Sequence, residues 1–158
     1  MDDRIEFAEA RWPEDRDAVR ALFRAYIDSL NIDLSFQGVE EELATLPGKY
    51  ARPGGVVLIA RAPAEGIVGT VAYRKFSHGV CEMKRLYVEP RRRGAAIGRR
   101  LCDRLLDEAR ASGYRRMILD TGDWLAPALA LYRALGFAEI PAYYHNPIEG
   151  TVYMGRDL

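Results

Sequence analysis

The chain has 158 residues, of which 49% are hydrophobic and 29% charged, and its 23 basic and 23 acidic side chains leave no formal net charge. These values are ordinary for one soluble globular domain with a sizeable core, so we predict a single domain over residues 1–158. Balanced charge argues against general nucleic-acid binding, which depends on neutralising phosphates.

Other features exclude further classes of protein. The longest apolar run, residues 56–60, is far too short to span a membrane, and the charged N-terminus lacks the apolar segment of a signal peptide. The two cysteines and two histidines show neither a disulfide framework nor metal-ligand spacing. We therefore expect a soluble cytoplasmic protein without a metal or a membrane partner. The oligomeric state stays open, and a homodimer is compatible with the sequence.

In chain order, apolar periodicity and turn residues predict an alternation of strands and helices. Strands are expected at residues 5–8, 55–61, 66–76, 80–88, 114–120, 137–140 and 150–157. Helices are expected at residues 14–30, 40–46, 97–112 and 125–135. A loop with Phe36 and Gln37 joins the first two helices. The order β-α-α-β-β-β-α-β-α-β-β indicates an α/β (α+β) fold, a mixed sheet with helices on both faces.

The segment from Val88 to Leu101 predicts an anion-binding turn. A strand ends at Glu89-Pro90, three arginines and a stretch of small residues follow, and a helix begins near Ile97. The first N–H groups of a helix lack intrahelical partners and lie at the positive end of its dipole, so small side chains there admit a phosphate. The spacing fits neither the P-loop nor the dinucleotide fingerprint.

What this segment resembles is the acetyl-CoA-binding motif of the GNAT superfamily of acyl-CoA N-acyltransferases, Arg/Gln-x-x-Gly-x-Gly/Ala, here Arg93 to Gly98. A second match, Leu131-Tyr-Arg-Ala-Leu-Gly-Phe137, resembles the family's Leu-Tyr-x-x-x-Gly-Phe signature. Together they cover roughly residues 55–140. Two departures stand out: Ala96 replaces the inner glycine, and Leu125 occupies a place that many members fill with asparagine.

The resemblance implies a largely antiparallel sheet of 6–7 strands with about four helices, splayed between the fourth and fifth strands. It implies an N-acetyltransferase that carries an acetyl group from acetyl-CoA to the primary amine of an unidentified small molecule, amino acid or peptide. The cofactor-binding residues that it implies are Leu86, Tyr87, Val88, Arg93, Gly94, Ala95, Ala96, Ile97, Gly98 and Arg99. Arg91 and Arg92 are further candidates for the phosphates.

Glu82 and Tyr132 are the candidate catalytic residues. A lysine-like amine has a pKa of about 10.4, so keeping it neutral at pH 7 costs roughly 4–5 kcal/mol and a general base is useful. The resemblance gives that role to Glu82, directly or through water; pairing with Arg85 or Lys84 on an open sheet face is the alternative. Tyr132 would protonate the departing thiolate, although a tyrosine on an apolar helix face is often simply part of the core.

Several details stay open at this stage. Alternation places Glu82, Lys84, Leu86 and Val88 on one face of their strand, unless a β-bulge shifts the register. An acyl-cysteine at Cys81 is disfavoured relative to direct transfer. Residues that could contact substrate or form a lid are Asp120, Asp123, Trp124, Tyr143, Tyr144 and His145. The competing functions are a non-catalytic acyl-CoA-binding or regulatory module and, less favoured, nucleic-acid binding through Arg91–Arg93.

Overall fold

A computed structural model of the chain describes residues 4–34 and 38–158. The predicted loop residues Phe36 and Gln37 lie outside the described residues. Within the described part, seven strands form one sheet in the order β1-β2-β3-β4-β5-β7-β6. All neighbouring strands are antiparallel except the parallel pair β4–β5. The strands are β1 (Glu6–Glu9), β2 (Val56–Ala62), β3 (Gly66–Ser77), β4 (Val80–Val88), β5 (Arg116–Gly122), β6 (Ala138–Glu139) and β7 (Thr151–Asp157).

Four helices, counted over the same residues, cover the two faces of the sheet. They are α1 (Arg16–Leu30), α2 (Val39–Ala44), α3 (Ile97–Ala111) and α4 (Ala126–Ala134). Helices α1 and α2 pack with one core cluster, and α3 and α4 pack with the other. None of these described helices has the length and apolar character needed to cross a bilayer. The predicted mixed fold is confirmed, with element ends that differ by a few residues.

The helical periodicity predicted from the sequence corresponds to real contact faces. In α3, Ile97, Leu101, Leu105 and Ala109 recur every three or four residues and are all buried against the sheet. Strand β2 is buried on both faces because alternate residues enter the two core clusters. A strand covered by helices on both sides therefore has the unbroken apolar run that the sequence shows.

Strands β4 and β5 diverge after a short common stretch. Their parallel pairing runs only from Val80–Arg116 to Glu82–Ile118, although β4 continues to Val88 and β5 to Gly122. Over the described residues, the second half of β4 thus has no ladder partner on its β5 side. The splay that the resemblance implied is present, and it opens the sheet from one helical layer to the other.

A β-bulge at Arg85 reverses the side-chain alternation of β4. Thr70 of β3 pairs with Tyr87 but Ala72 pairs with Lys84, so β4 holds one extra residue there. Arg85 has a positive φ of 63°, and the Thr70 hydroxyl donates to its carbonyl oxygen over 3.0 Å. Leu86 and Val88 consequently pack with the α3–α4 layer, and Tyr87 with the α1 layer. Leu86 and Val88 therefore do not share a face with Glu82 and Lys84, as simple alternation would have required.

The Arg85 side chain anchors α2 to this bulge. Its guanidinium is buried and donates to both carboxylate oxygens of Glu42, from Nε over 2.9 Å and from Nη2 over 3.0 Å. The Tyr50 hydroxyl donates to the same carboxylate over 3.1 Å. Because the guanidinium is removed from water, the Glu42 carboxylate is needed to stabilise its positive charge.

Glu42→Gln is expected to lower the free energy of unfolding by about 2 kcal/mol, because the buried guanidinium keeps one hydrogen bond but loses its counter-charge. Urea denaturation followed by circular dichroism measures the change. Glu41→Gln, an exposed neighbour on the same helix, is the matched control and should be close to neutral. Equal effects of the two substitutions would show that the pair does not hold α2 in place.

Candidate active site

A cleft occupies the place where β4 and β5 diverge. It contains about 640 Å³ of empty space, counting the part open to solvent. Residues from both layers line it, Tyr26 and Ile32 from the α1 side and Leu125 and Tyr132 from the α4 side. Between them lie Lys84, Arg85 and Leu86 of β4 and Asp120, Thr121 and Gly122 of β5. The cleft therefore leads through the sheet, so two reactants can approach from opposite faces.

The turn before α3 presents free backbone donors at the end of β4. Gly94 and Ala96 have positive φ values of 89° and 60°, and Gly94, Ala95 and Ala96 are exposed. The first helical hydrogen bond of α3 joins the Arg100 amide to the Ala96 carbonyl. Within the described residues, the N–H groups of 94–99 have no hydrogen-bond acceptor. Six donors at a helix N-terminus, four of them on glycine or alanine, fit a diphosphate.

The arginines around this turn are engaged elsewhere. Arg93 donates from Nε to the Val88 carbonyl over 3.0 Å, and its guanidinium lies 5.4 Å from the centre of the Tyr87 ring. Arg91 and Arg92 pair with Glu65. Arg99 lies 3.6 Å from Asp103. An anion at the turn would therefore meet main-chain donors first, and an arginine would have to leave its carboxylate or carbonyl to join them.

Ala96 replaces the inner glycine of the motif and adopts a backbone conformation that is unfavourable for alanine. A non-glycine residue in the left-handed region costs about 1–2 kcal/mol, partly offset by the entropy that glycine would lose on folding. Ala96→Gly is therefore expected to raise the free energy of unfolding by about 1 kcal/mol and to leave acetyl-CoA affinity intact, since the N–H donor remains.

Thermal or urea denaturation tests this prediction, with Ala95→Gly as the matched control. Ala95 is equally exposed but is not among the positive-φ residues, so that substitution should destabilise by about 0.5 kcal/mol. Destabilisation by both substitutions would contradict the strain assigned to Ala96.

Glu82 is buried, with 3% of its surface exposed, in the face of β4 that points to the α1–α2 layer. Arg74, its cross-strand neighbour on β3, donates from Nε to Oε1 over 3.1 Å. The Tyr143 hydroxyl donates to Oε2 over 2.6 Å. The alternative partners named from the sequence, Arg85 and Lys84, therefore do not hold this carboxylate. Glu82 is not among the residues that line the cleft, so its oxygens can reach a reactant there only through a bridging group or water.

Aromatic rings from the β6–β7 loop and from strands β3 and β7 pack together and position the Tyr143 hydroxyl. The Tyr143 ring packs edge-on against Phe76 and Tyr153, with ring centres 5.1 and 5.3 Å apart, and it also contacts Tyr144. The Tyr153 hydroxyl donates to the Tyr144 carbonyl over 2.9 Å. Burial and the adjacent Glu82 carboxylate raise the pKa of Tyr143, which keeps its proton in place.

Asp120, at the opposite wall of the cleft, accepts hydrogen bonds from the same loop. Its Oδ2 accepts from the Tyr144 hydroxyl and from the Asn146 amide, the latter over 3.4 Å. Asp120 is only partly buried and lines the cleft directly. The sequence had suggested Asp120 and Tyr144 as substrate contacts from their positions alone, but their mutual contact and the role of Asn146 depend on the folded loop.

Tyr132 reaches the cleft from α4. Its ring packs edge-on against Phe137, 6.0 Å between centres, and belongs to the core as well as to the cleft wall. No residue in the described part of the chain accepts a hydrogen bond from its hydroxyl. Burial raises the pKa of Tyr132 well above its usual value, so the phenol stays protonated at the cleft wall. Both interpretations made from the sequence, core and proton donor, are therefore compatible with its position.

The thiols offer no alternative nucleophile. Burial raises the pKa of both Cys81 and Cys102 to about 12, so each is almost entirely protonated at neutral pH. Cys102 packs within the α3 core. Across the described ranges, no three His, Cys, Asp or Glu side chains are grouped to share a metal ion. Chemistry at this site would rest on carboxylates, phenols and main-chain groups.

Comparison with known proteins decides the family. The Acetyltransferase (GNAT) family profile matches residues 19–137. The chain belongs to the GNAT family. An uncharacterized N-acetyltransferase of Schizosaccharomyces pombe is 41% identical over 98% of this chain and 95% of its own length. The chain is accordingly an enzyme of the N-acetyltransferase class, and the matched range contains the segments at residues 93–98 and 131–137 that carried the resemblance.

Other GNAT relatives and structures share parts of the chain or its fold. An Azospirillum brasilense protein named "IAA acetyltransferase" is 51% identical over 51% of this chain and 53% of its own length. A GNAT acetyltransferase of Staphylococcus aureus has a TM-score of 0.81 at 21% identity, covering 98% of this chain and 99% of its own. PaiA N-acetyltransferase from Thermoplasma acidophilum, solved with coenzyme A, has a TM-score of 0.76 at 16% identity, covering 98% and 99%.

Proposed function

We propose that this enzyme transfers an acetyl group from acetyl-CoA directly to the primary amine of a small molecule, amino acid or peptide, with both substrates bound together. The observation that carries the proposal is the cleft through the sheet, with a set of free main-chain donors at one end of β4 and carboxylates on the far side. The coenzyme A bound to PaiA supports the choice of donor.

The proposed donor site has two parts. The N–H groups of residues 94–99 hold the diphosphate, with help from Arg93 or Arg99 once they exchange their present partners. The pantetheine arm lies along β4 from Val88 to Leu86, where β5 has turned away and the edge of β4 is open. A main-chain N–H at the splay would then donate to the thioester oxygen as it gains negative charge.

The proposed reaction is one displacement. The amine nitrogen attacks the thioester carbon, the new C–N bond forms and the C–S bond breaks. Glu82 takes the amine proton through a bridging water, since its carboxylate, which pairs with Arg74, lies behind the cleft wall. Tyr132 gives its phenolic proton to the departing sulfur and regains one from solvent; burial raises the pKa of Tyr132, which keeps the phenol protonated before each turnover.

The test is a panel of primary amines with acetyl-CoA, read out by free-thiol release and by mass of the acetylated product. The proposal predicts thiol release that depends on the amine, with one acetylated amine formed per thiol and no acetylated enzyme. Binding of acetyl-CoA without turnover of any amine would favour the non-catalytic module. An acetyl-enzyme formed in the absence of amine would rule out direct transfer.

A further inference from the structure

Lys84 is a buried lysine without a hydrogen-bonding or ionic partner among the described residues. Only 7% of its surface is exposed, yet no hydrogen bond or salt bridge joins its ammonium to any residue of the described ranges. Its nearest opposite charges, Glu82 and Asp120, are occupied by Arg74, Tyr143, Tyr144 and Asn146. Burial lowers the pKa of Lys84. An unpaired ammonium in such a place is costly to keep, which points to a ligand that completes it.

The position of Lys84 indicates which ligand that is. It lines the cleft and, directly before the Arg85 bulge, shares the α1–α2 face of β4 with Glu82. Leu86 and Val88, where the pantetheine arm is proposed, face the other layer. Lys84 is thus on the side from which the acceptor would enter, and the phosphates of the donor would lie beyond the far end of β4.

The opposite wall carries a negative group. Asp120 on β5 lines the same cleft, and no hydrogen bond or ion pair joins these two described residues. The cleft lining contributed by the α1–α2 layer is largely apolar and consists of Tyr26, Leu30, Ile32, Leu34 and Ile148. A molecule with one anionic group and one amino group could pair with Lys84 and Asp120 at the same time, whereas a simple amine would leave Lys84 unpaired.

We infer that Lys84 binds a carboxylate of the acceptor while the acceptor's amine lies toward Asp120, so that the substrates are amino acids or related amino-carboxylates. This inference rests on the proposed acetyl transfer and narrows its acceptor. A charge-assisted hydrogen bond in a buried site contributes a factor of about 10–100 in affinity. The effect should appear in KM for the acceptor, since the contact is made before and during the reaction alike.

The experiment compares L-amino acids with the matching L-amino acid amides, which keep the amine and lose the carboxylate. Rates of thiol release are expressed per neutral amine, because the amide lowers the pKa of the amine. The wild-type enzyme is expected to prefer the acids by about 10- to 100-fold in kcat/KM. Lys84→Gln should remove that preference, because KM is expected to rise more for the acids than for the amides.

Two further variants complete the test. Lys84→Met replaces the lysine by an apolar side chain that is easily buried. Loss of the preference for acids in both Lys84 variants would therefore not be due to a folding defect. Calorimetric binding of acetyl-CoA checks that each variant is folded. Lys75→Gln, an exposed lysine of β3, is the matched control and should keep the preference.

Three results would overturn the inference. A wild-type enzyme that acetylates amides as well as acids would show that no carboxylate is bound. An equal fall in kcat on acids and amides in Lys84→Gln would show that Lys84 acts on the thioester instead. Thiol release from neither set, with acetyl-CoA still bound, would defeat the proposed transfer itself and this inference with it.

Discussion

Replacing Glu82 with glutamine is expected to lower kcat for acetyl transfer by about 100-fold or more, because removal of a general base typically costs 10²–10⁴-fold. The amide can still accept a hydrogen bond from Arg74 and can pair with the Tyr143 hydroxyl, so the local packing is retained. It cannot take a proton. The acetyl-CoA dissociation constant should therefore stay near the wild-type value while turnover falls.

Steady-state kinetics at saturating acetyl-CoA measure kcat, and calorimetry measures the dissociation constant of acetyl-CoA. Glu40→Gln is the matched control. It also removes a carboxylate that pairs with an arginine, here Arg24, but this pair lies on the exposed surface of α2. If Glu82→Gln retained wild-type kcat, Glu82 would be a structural partner of Arg74. Asp120, which lines the cleft directly, would then be the carboxylate to test next as Asp120→Asn.

Tyr132→Phe is expected to lower kcat by about 100-fold with little change in acetyl-CoA affinity. The substitution keeps the ring that packs against Phe137 and removes only the hydroxyl, which no described residue uses as a hydrogen-bond donor. Without that proton the sulfur must leave as a thiolate, which loses the contribution of a general acid, typically 10²–10⁴-fold.

A matched control separates chemistry from packing. Tyr114→Phe removes a hydroxyl that donates to the Gly54 carbonyl over 2.6 Å, outside the cleft, and should lower stability without changing kcat. Unchanged kcat in Tyr132→Phe would leave this tyrosine a core residue. A parallel loss of acetyl-CoA affinity and kcat would mean that the hydroxyl positions the donor and does not protonate it.

The sequence predicted the elements whose causes are local. The apolar stripe of α3 from Ile97 to Ala109, and the stop at Gly113, depend on neighbours a few residues away. The turn at residues 94–98 was predicted because a strand, small residues and a helix follow one another directly in the chain. The predicted start of α4 was less accurate. Leu125 precedes the helix and Pro127 lies in its first turn, whereas the periodic pattern had placed Leu125 inside the helix.

The arrangement around the carboxylates could not be predicted, because it depends on residues far apart in the chain. Tyr143 reaches Glu82 from 61 positions away, on a loop held by aromatic contacts. The cross-strand contact with Arg74 follows from the register between β3 and β4. The burial of Lys84 follows from the helical layer that covers this face, and a lysine in an alternating strand gives no sign of that.

Hydrogen exchange at residues 94–99, with and without acetyl-CoA, tests the central claim most directly. The six N–H groups there have no acceptor among residues 4–34 and 38–158, so they are predicted to exchange quickly alone and to become protected when the diphosphate binds. Protection should appear at the turn and along Leu86 to Val88. Binding of acetyl-CoA with no protection at residues 94–99, or no binding at all, would contradict the account.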